Sequence, residues 1–314
     1  MNQDKLKICL LGCGQIGALH ARNLAGKTDL FFCSRSWQSA RLFQKKFLGR
    51  GTFADFDAVL ESDIDAVIIA SPPEYHAEQV IAALQANKAV LVEKPLCISP
   101  EEVNRIETVL AQIENPLLMV AENYYYKPSL VYMKQMLLSG MLGDLQSASV
   151  KKLTRQNATG WKSAHGALLE GGIHFVALIA DLFGVAPLDI EAVFPGYREG
   201  EAERHSVTRL TFANQAIAEL HYSWETPSLT KGVFQHSKIV GSKGSIIFES
   251  NGIYLWYSGS ALPVFPGVRD LMGYGAMTQD FLSCLQDRSE QPYSNFERAK
   301  RDLNIVFRAY NDLG

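Results

Sequence analysis

The sequence has no apolar run long enough to span a bilayer. Its most apolar stretch, "GGIHFVALIADLFGVA" at 171–186, is interrupted by His174 and Asp181 and falls short of the ~18 apolar residues that a membrane helix needs. The opening "MNQDKLKICL" shows no signal-peptide core before the first strand begins. Neither sign of charge predominates: 30 Lys and Arg stand against 33 Asp and Glu, a formal charge of -3. No field is therefore laid out for nucleic acid or an anionic membrane, and a small molecule is the expected partner. Cysteine is scarce. The five that occur (Cys9, Cys13, Cys33, Cys97, Cys284) are odd in number and mostly sit in apolar strand-like runs, where a thiol acts as a small hydrophobe. That excludes a disulfide framework and makes a reducing cytoplasm the expected location. There is no fixed-period repeat, no low-complexity linker and no metal-ligand set to expect.

What is present is an alternation. Through residue 121, short apolar runs ("KICLLG" 7–12, "DLFFCS" 29–34, "AVIIAS" 66–71, "AVLVE" 89–93, "LLMVAEN" 117–123) alternate with amphipathic stretches at about 16–25, 39–47, 77–87 and 99–114. This is the pattern of a parallel sheet with helices on both faces, an α/β Rossmann domain over 1–121. After a helix at 129–139 the texture changes to long alternating segments, "LQSASVKKLTR", "SVTRLTFA", "AIAELHYSW", "FQHSKIVGS" and "GSIIFES", with turns suited to hairpins. The second domain, 122–314, is expected to be α+β with a large open, mostly antiparallel sheet, closed by a helical segment at 277–310.

"GCGQIG" (12–17) is a G-x-G-x-x-G run directly after a strand and at the mouth of a helix. Gly12 permits the tight turn, Gly14 lets the backbone approach a pyrophosphate, and Gly17 allows close helix–strand packing. The loop, Gly12, Cys13, Gly14, Gln15, Ile16 and Gly17, is assigned to a dinucleotide. An NAD site carries an acid at the end of the second strand for the ribose 2′-hydroxyl. Here the chain reads "FFCSRSWQ", with no carboxylate before Asp55. Ser34, Arg35 and Ser36 offer hydroxyls and a guanidinium instead, which favours the 2′-phosphate of NADP(H) over NAD(H).

A second signal is "LVEKPL" (91–96), at a strand end that faces the ligand crevice of an open α/β sheet. Pro95 restricts the residue before it, so Lys94 is held in a defined direction. A lysine there can donate to an oxygen that gains charge as hydride moves, with Glu93 to orient it.

With these residues in view, the chain resembles the glucose–fructose oxidoreductase/inositol dehydrogenase (Gfo/Idh/MocA) family over nearly its whole length. "VIIASPPEYHAEQVIAAL", "VEKPL", "AENYYYKP", "GDLQS", "GALLEGGIH" and "GSKGSIIFE" carry the likeness beside the glycine loop. The resemblance implies that Lys94 lies at the substrate and nicotinamide and that Ser71, Pro72 and His76 line the cofactor. It also implies that the open sheet serves substrate binding and subunit contact, giving a homodimer or homotetramer. The family's D-x-G-x-H pattern reads "EGGIH" here, making Glu170 the acid and His174 the proton-transfer residue, neighbours at i and i+4 on a helix. Tyr125 and Ala177 stand where the family carries an arginine and an acid. Tyr124, Tyr126, Trp161 and Lys162 are expected at the substrate. The leading expectation is an NADP(H)-dependent oxidoreductase acting on a hydroxyl or ketone carbon of a sugar-like molecule or polyol. A C=N reductase and a non-catalytic NADP sensor remain as alternatives.

Overall fold

The computed structural model describes residues 5–157, 159, 163–228, 230, 232–267 and 269–313. The chain divides into two compact units: the first is Met1–Ala121 with Tyr274–Ala299, the second Glu122–Gly273 with Lys300–Gly314. The first unit therefore takes in a segment that a single division at 121/122 would leave to the second.

In the first unit, strands β1 (Lys7–Leu11), β2 (Asp29–Cys33), β3 (Gly51–Thr52), β4 (Ala66–Ile69), β5 (Ala89–Val92) and β6 (Leu118–Val120) form one parallel sheet in the order β3-β2-β1-β4-β5-β6. β4 and β5 are buried at every position, as expected for strands covered on both faces, which is why they read as unbroken β-branched runs. The helices between them are α1 (Gln15–Leu24), α2 (Trp37–Lys46), α3 (Phe56–Leu60), α4 (His76–Gln85) and α5 (Pro100–Leu110). Short side chains start several of them: Ser36 accepts from the Ser39 amide, Asp55 from Ala58, and Ser99 from Glu102 ahead of Pro100. Strand order reverses between β1 and β4, and ligands of such sheets bind at that point, outside the carboxyl ends of the strands.

The expected single helix at 277–310 is two, α8 (Tyr274–Gln286) and α9 (Phe296–Tyr310). Pro292 lies between them, the Tyr293 amide turns back to Asp280 (2.8 Å), and Asn295 accepts from the Arg298 amide to start α9. α8 packs on α1, and the Ser294 carbonyl accepts from Val120 (2.9 Å) beside an antiparallel Met119–Asn295 bridge. The free edge of β6 is thus covered by residues from far along the chain, which explains the discontinuous first unit.

The second unit is built on a seven-stranded sheet of β7 (Leu145–Leu153), β8 (Asp189–Val193), β9 (His205–Thr211), β10 (Ile217–Ser223), β11 (His236–Gly241), β12 (Ser245–Glu249) and β13 (Leu255–Tyr257). Its order is β13-β12-β11-β7-β10-β9-β8, antiparallel throughout except where β7 runs parallel to β10. Burial alternates along β11, with Ser237, Ile239 and Gly241 inside and His236 and Lys238 outside, so one face lies against the core and the other is open. α7 (Ile173–Phe183) packs on the covered face, in contact with α6 (Pro128–Leu138), β7 and β10.

Candidate active site

In the first unit the sequence-assigned cofactor residues fall on adjacent strand ends. Gly12 has φ 109°, and a Cβ there would lie 2.4 Å from the Ala70 carbonyl oxygen; one on Gly17 would lie 2.1 Å from the Gly12 oxygen. Both positions therefore require glycine. Gly14 differs. Nothing stands within 4 Å of its would-be Cβ, and as the residue before α1 it supplies no side-chain cap. The open space at Gly14, at the positive N-terminal end of the α1 dipole, is a fitting seat for a pyrophosphate. Cys13 contributes backbone rather than thiol chemistry, since burial, then Cys33, pushes its pKa up to about 12.

One strand over, Ser34, Arg35 and Ser36 follow β2. Arg35 is exposed and its guanidinium lies 5.6 Å from the ring centre of Tyr75, on the turn after β4. Asp55, the first acid after β2, accepts from the Ala58 amide as the cap of α3. At the end of β4, Ser71 Oγ donates to Gln79 (2.5 Å) and Pro72 opens the turn into α4. His76 does not line an open surface. It is buried, with Nδ1 2.8 Å from the Pro95 carbonyl and Nε2 2.8 Å from the Ser71 carbonyl, so it braces the segments that follow β4 and β5. Burial lowers its pKa, against the pull of those carbonyls.

The Lys94–Pro95 peptide after β5 is cis. Glu93, expected to orient Lys94, gives its carboxylate to His20 of α1 at 2.7 Å, both side chains being buried. Burial pushes the Glu93 pKa up, but the His20 hydrogen bond and the charges of His20, Lys94 and His76 outweigh it and hold the carboxyl below its usual value. An ionised Glu93 therefore ties the glycine-loop helix to the segment that carries Lys94.

In the second unit His174 lies in the first turn of α7, entered from a π-helical turn, Leu168–Gly172. A Cβ on Gly171 would lie 2.0 Å from Tyr222 Oη, so the glycines of "EGGIH" let this turn close on β10. The i, i+4 rule applies to a regular α-helix, and the π turn departs from it. The carboxylate that meets His174 is Glu122, not Glu170: Glu122 Oε1 is 2.6 Å from Nδ1 and also accepts from the Tyr124 amide (3.1 Å). Glu170 itself is buried in the π turn. The Tyr124 ring is buried and stacked on the His174 imidazole at 4.7 Å and 13°. Tyr126 is partly exposed. Trp161 and Lys162 lie outside the described residues. Tyr125 donates to Asp302 and accepts from Arg301 Nη2 (2.9 Å), which ties it to α9. Ala177, one turn after His174, is fully buried.

Two residues escaped sequence reasoning. Glu122 lies 52 residues from His174, so no local spacing links them. Lys127 is buried with no hydrogen-bond partner for Nζ, which sits 4.1 Å from the centre of the Tyr124 ring. Burial, offset by Glu249, lowers its pKa to about 8. Among the described residues no cluster of His, Cys, Asp or Glu could hold a metal ion.

A Rossmann order of strands, an uncapped glycine loop after β1 and a lysine two strands away, after β5, are the marks of a nicotinamide-dependent oxidoreductase. Comparison agrees: residues 6–121 match the oxidoreductase family with the NAD-binding Rossmann fold, and residues 130–247 match the GFO/IDH/MocA C-terminal domain. The chain belongs to the GFO/IDH/MocA family of NAD(P)-dependent oxidoreductases. It is 29% identical over 237 residues to the dTDP-3,4-didehydro-2,6-dideoxy-alpha-D-glucose 3-reductase of Actinomadura kijaniata, covering 71% of this chain and 70% of that one. It is also 29% identical over 195 residues to glucose-6-phosphate 3-dehydrogenase of Bacillus subtilis, covering 56% of this chain and 53% of the other, so that match spans about half of the relative's length. Among solved structures, levoglucosan dehydrogenase with NADH and levoglucosan superposes with a TM-score of 0.85 at 21% identity, over 99% of this chain and 98% of that one. A 3-ketoreductase from Actinomadura kijaniata with TDP-benzene and NADP gives 0.81 at 23%, over 98% of each. At these identities the structures speak for the fold.

Proposed function

We propose that the protein transfers hydride between NADP(H) and a hydroxyl or ketone carbon of a sugar-like molecule or polyol, in a reducing cytoplasm. The observation that carries this reading is the row of strand ends in the first unit, where the open glycine loop, the Ser34–Arg35–Ser36 turn and Lys94 follow β1, β2 and β5 of one parallel sheet. The names of the two curated relatives point the same way, since both are enzymes of sugar carbons. Gly12 to Gly17 would hold the pyrophosphate, Ser34, Arg35 and Ser36 the 2′-phosphate, and Ser71 and Pro72 the nicotinamide-side walls. When bound, the nicotinamide supplies or takes the hydride. Lys94 donates to the substrate oxygen as charge develops on it, and His174 gives or takes the hydroxyl proton. The sequence keeps both groups, which cofactor binding alone does not require.

The test is a screen of sugars, polyols, keto-sugars and imines, followed by the absorbance of reduced nicotinamide, with Lys94→Ala as the control. Turnover of a sugar or polyol with NADP(H), reduced ~10²–10⁴-fold in Lys94→Ala at unchanged NADPH affinity, is the expected result. Turnover of imines alone, or a Lys94→Ala enzyme as fast as the native one, would overturn it.

A further inference from the structure

The imidazole of His174 has two nitrogens with different surroundings, and the difference decides which one can do chemistry. Nδ1 faces Glu122 Oε1 at 2.6 Å. Glu122 is buried, its side chain 6% exposed against 17% for His174, so the carboxylate cannot trade this partner for water without cost. The same Oε1 accepts from the Tyr124 amide at 3.1 Å, which fixes the carboxylate to the backbone, and the Tyr124 ring stacked at 4.7 Å and 13° fixes the plane of the imidazole. A carboxylate can only accept. The ring must therefore carry its proton on Nδ1, which leaves the Nε2 lone pair as the basic site.

We propose that Glu122 is the positioning residue of His174: it sets the Nδ1–H tautomer, directs Nε2 to the substrate hydroxyl, and stabilises the imidazolium that forms. This deepens, and rests on, the reading of His174 as the acid–base group. In the oxidative direction the substrate O–H bond breaks, its proton passes to Nε2, and the electron pair stays on oxygen. The imidazolium then holds one proton on each nitrogen, with its charge opposite Glu122. Reduction runs the same step backwards. The acid suggested by local spacing, Glu170, is not needed for it. A histidine fixed in this way by a buried carboxylate is a general arrangement for a base working near neutral pH.

Proton-detected 15N spectra of the full-length protein labelled at histidine, recorded under conditions where the imidazole is neutral, test this without any substrate. His174→Gln identifies the resonances. The native protein is expected to show Nδ1 protonated and Nε2 bare, with the Nδ1 proton strongly deshielded by the carboxylate. Glu122→Gln keeps the shape and an acceptor but removes the charge, so that proton should move upfield; Glu170→Gln should leave it in place. Once a substrate is known, Glu122→Gln should lower kcat ~10²-fold with KM and NADPH affinity within about threefold, and Glu122→Asp should recover part of the loss. A native spectrum with the proton on Nε2 would overturn the proposal, as would a shift produced by Glu170→Gln and not by Glu122→Gln. If the spectra hold while no sugar or polyol reacts, the pairing stands and the substrate reading falls.

Discussion

Arg35 and Lys127 show what one side chain can decide. Arg35 has its guanidinium exposed beside Tyr75, and Asp55, the first acid after β2, is held as the cap of α3; in the proposed reading Arg35 meets a 2′-phosphate. The native protein should bind NADPH more tightly than NADH in calorimetry, and Arg35→Ala should erode that preference by about 1.5–3 kcal/mol. Equal affinity of the native protein for both would remove the assignment. Lys127 acts on stability instead. Its folded pKa of about 8 lies below the ~10.4 of an unfolded lysine. Below pH 8 both states hold the proton and the folded state bears the full cost of a buried charge. Between about 8 and 10.4 the unfolded state binds more protons, so stability rises with pH. Lys127→Met should therefore be more stable than the native protein by about 1–2 kcal/mol at pH 7, with the gap closing towards pH 10 in melting experiments. Glu249 tolerates the change because it accepts from the backbone amides of Phe234, Asn251 and Ile253 and from the Asn251 side chain.

At the scale of the element, the β1–α1 turn separates two roles that its glycines share in the sequence. Gly14→Ala meets no neighbour and should fold with a Tm within about 2 °C of native, yet its methyl would occupy the space of the pyrophosphate, so NADPH affinity should fall ~10²-fold. Gly17→Ala drives a carbon into the Gly12 carbonyl and should lose about 3 kcal/mol or more whether or not cofactor is present. Calorimetry and thermal melts together distinguish the two. This turn was legible because its constraints are local: a strand, three glycines and a helix within a dozen residues. The buried strands β4 and β5 were legible for a similar reason, as β-branched runs between turns. Glu122 was not, because its partner is 52 residues away and because the spacing rule that pointed to Glu170 presumes an α-helix where the chain makes a π turn. The parallel pairing of β7 with β10 escaped as well, since an alternating pattern reports which face is buried but not which strand lies alongside. The break between α8 and α9 was visible as Pro292, and the helical periodicity on either side concealed it.

At the scale of the whole molecule, the second unit leaves one face of a seven-stranded sheet open, with Ile247 and Arg209 on it. We propose that this face pairs with its counterpart in a second copy, giving a dimer or a tetramer. Light scattering at micromolar concentration should report a multiple of the 34.8 kDa chain; a monomer would contradict it.

The first unit has a further property. Its boundaries fall at 121/122, 273/274 and 299/300, so its last pieces, α8 and the residues that cover β6, leave the ribosome after every strand of the second sheet. The half of the protein that is made first is thus finished nearly last, and in the interval the edge of β6 and the α8-facing side of α1 are open to chaperones or to a neighbouring nascent chain. A fragment ending at Ala121 should fail to melt cooperatively, whereas the same fragment joined by a short linker to residues 274–299 should do so. The order of synthesis, and not only the final fold, then sets when this protein can first take hold of its cofactor.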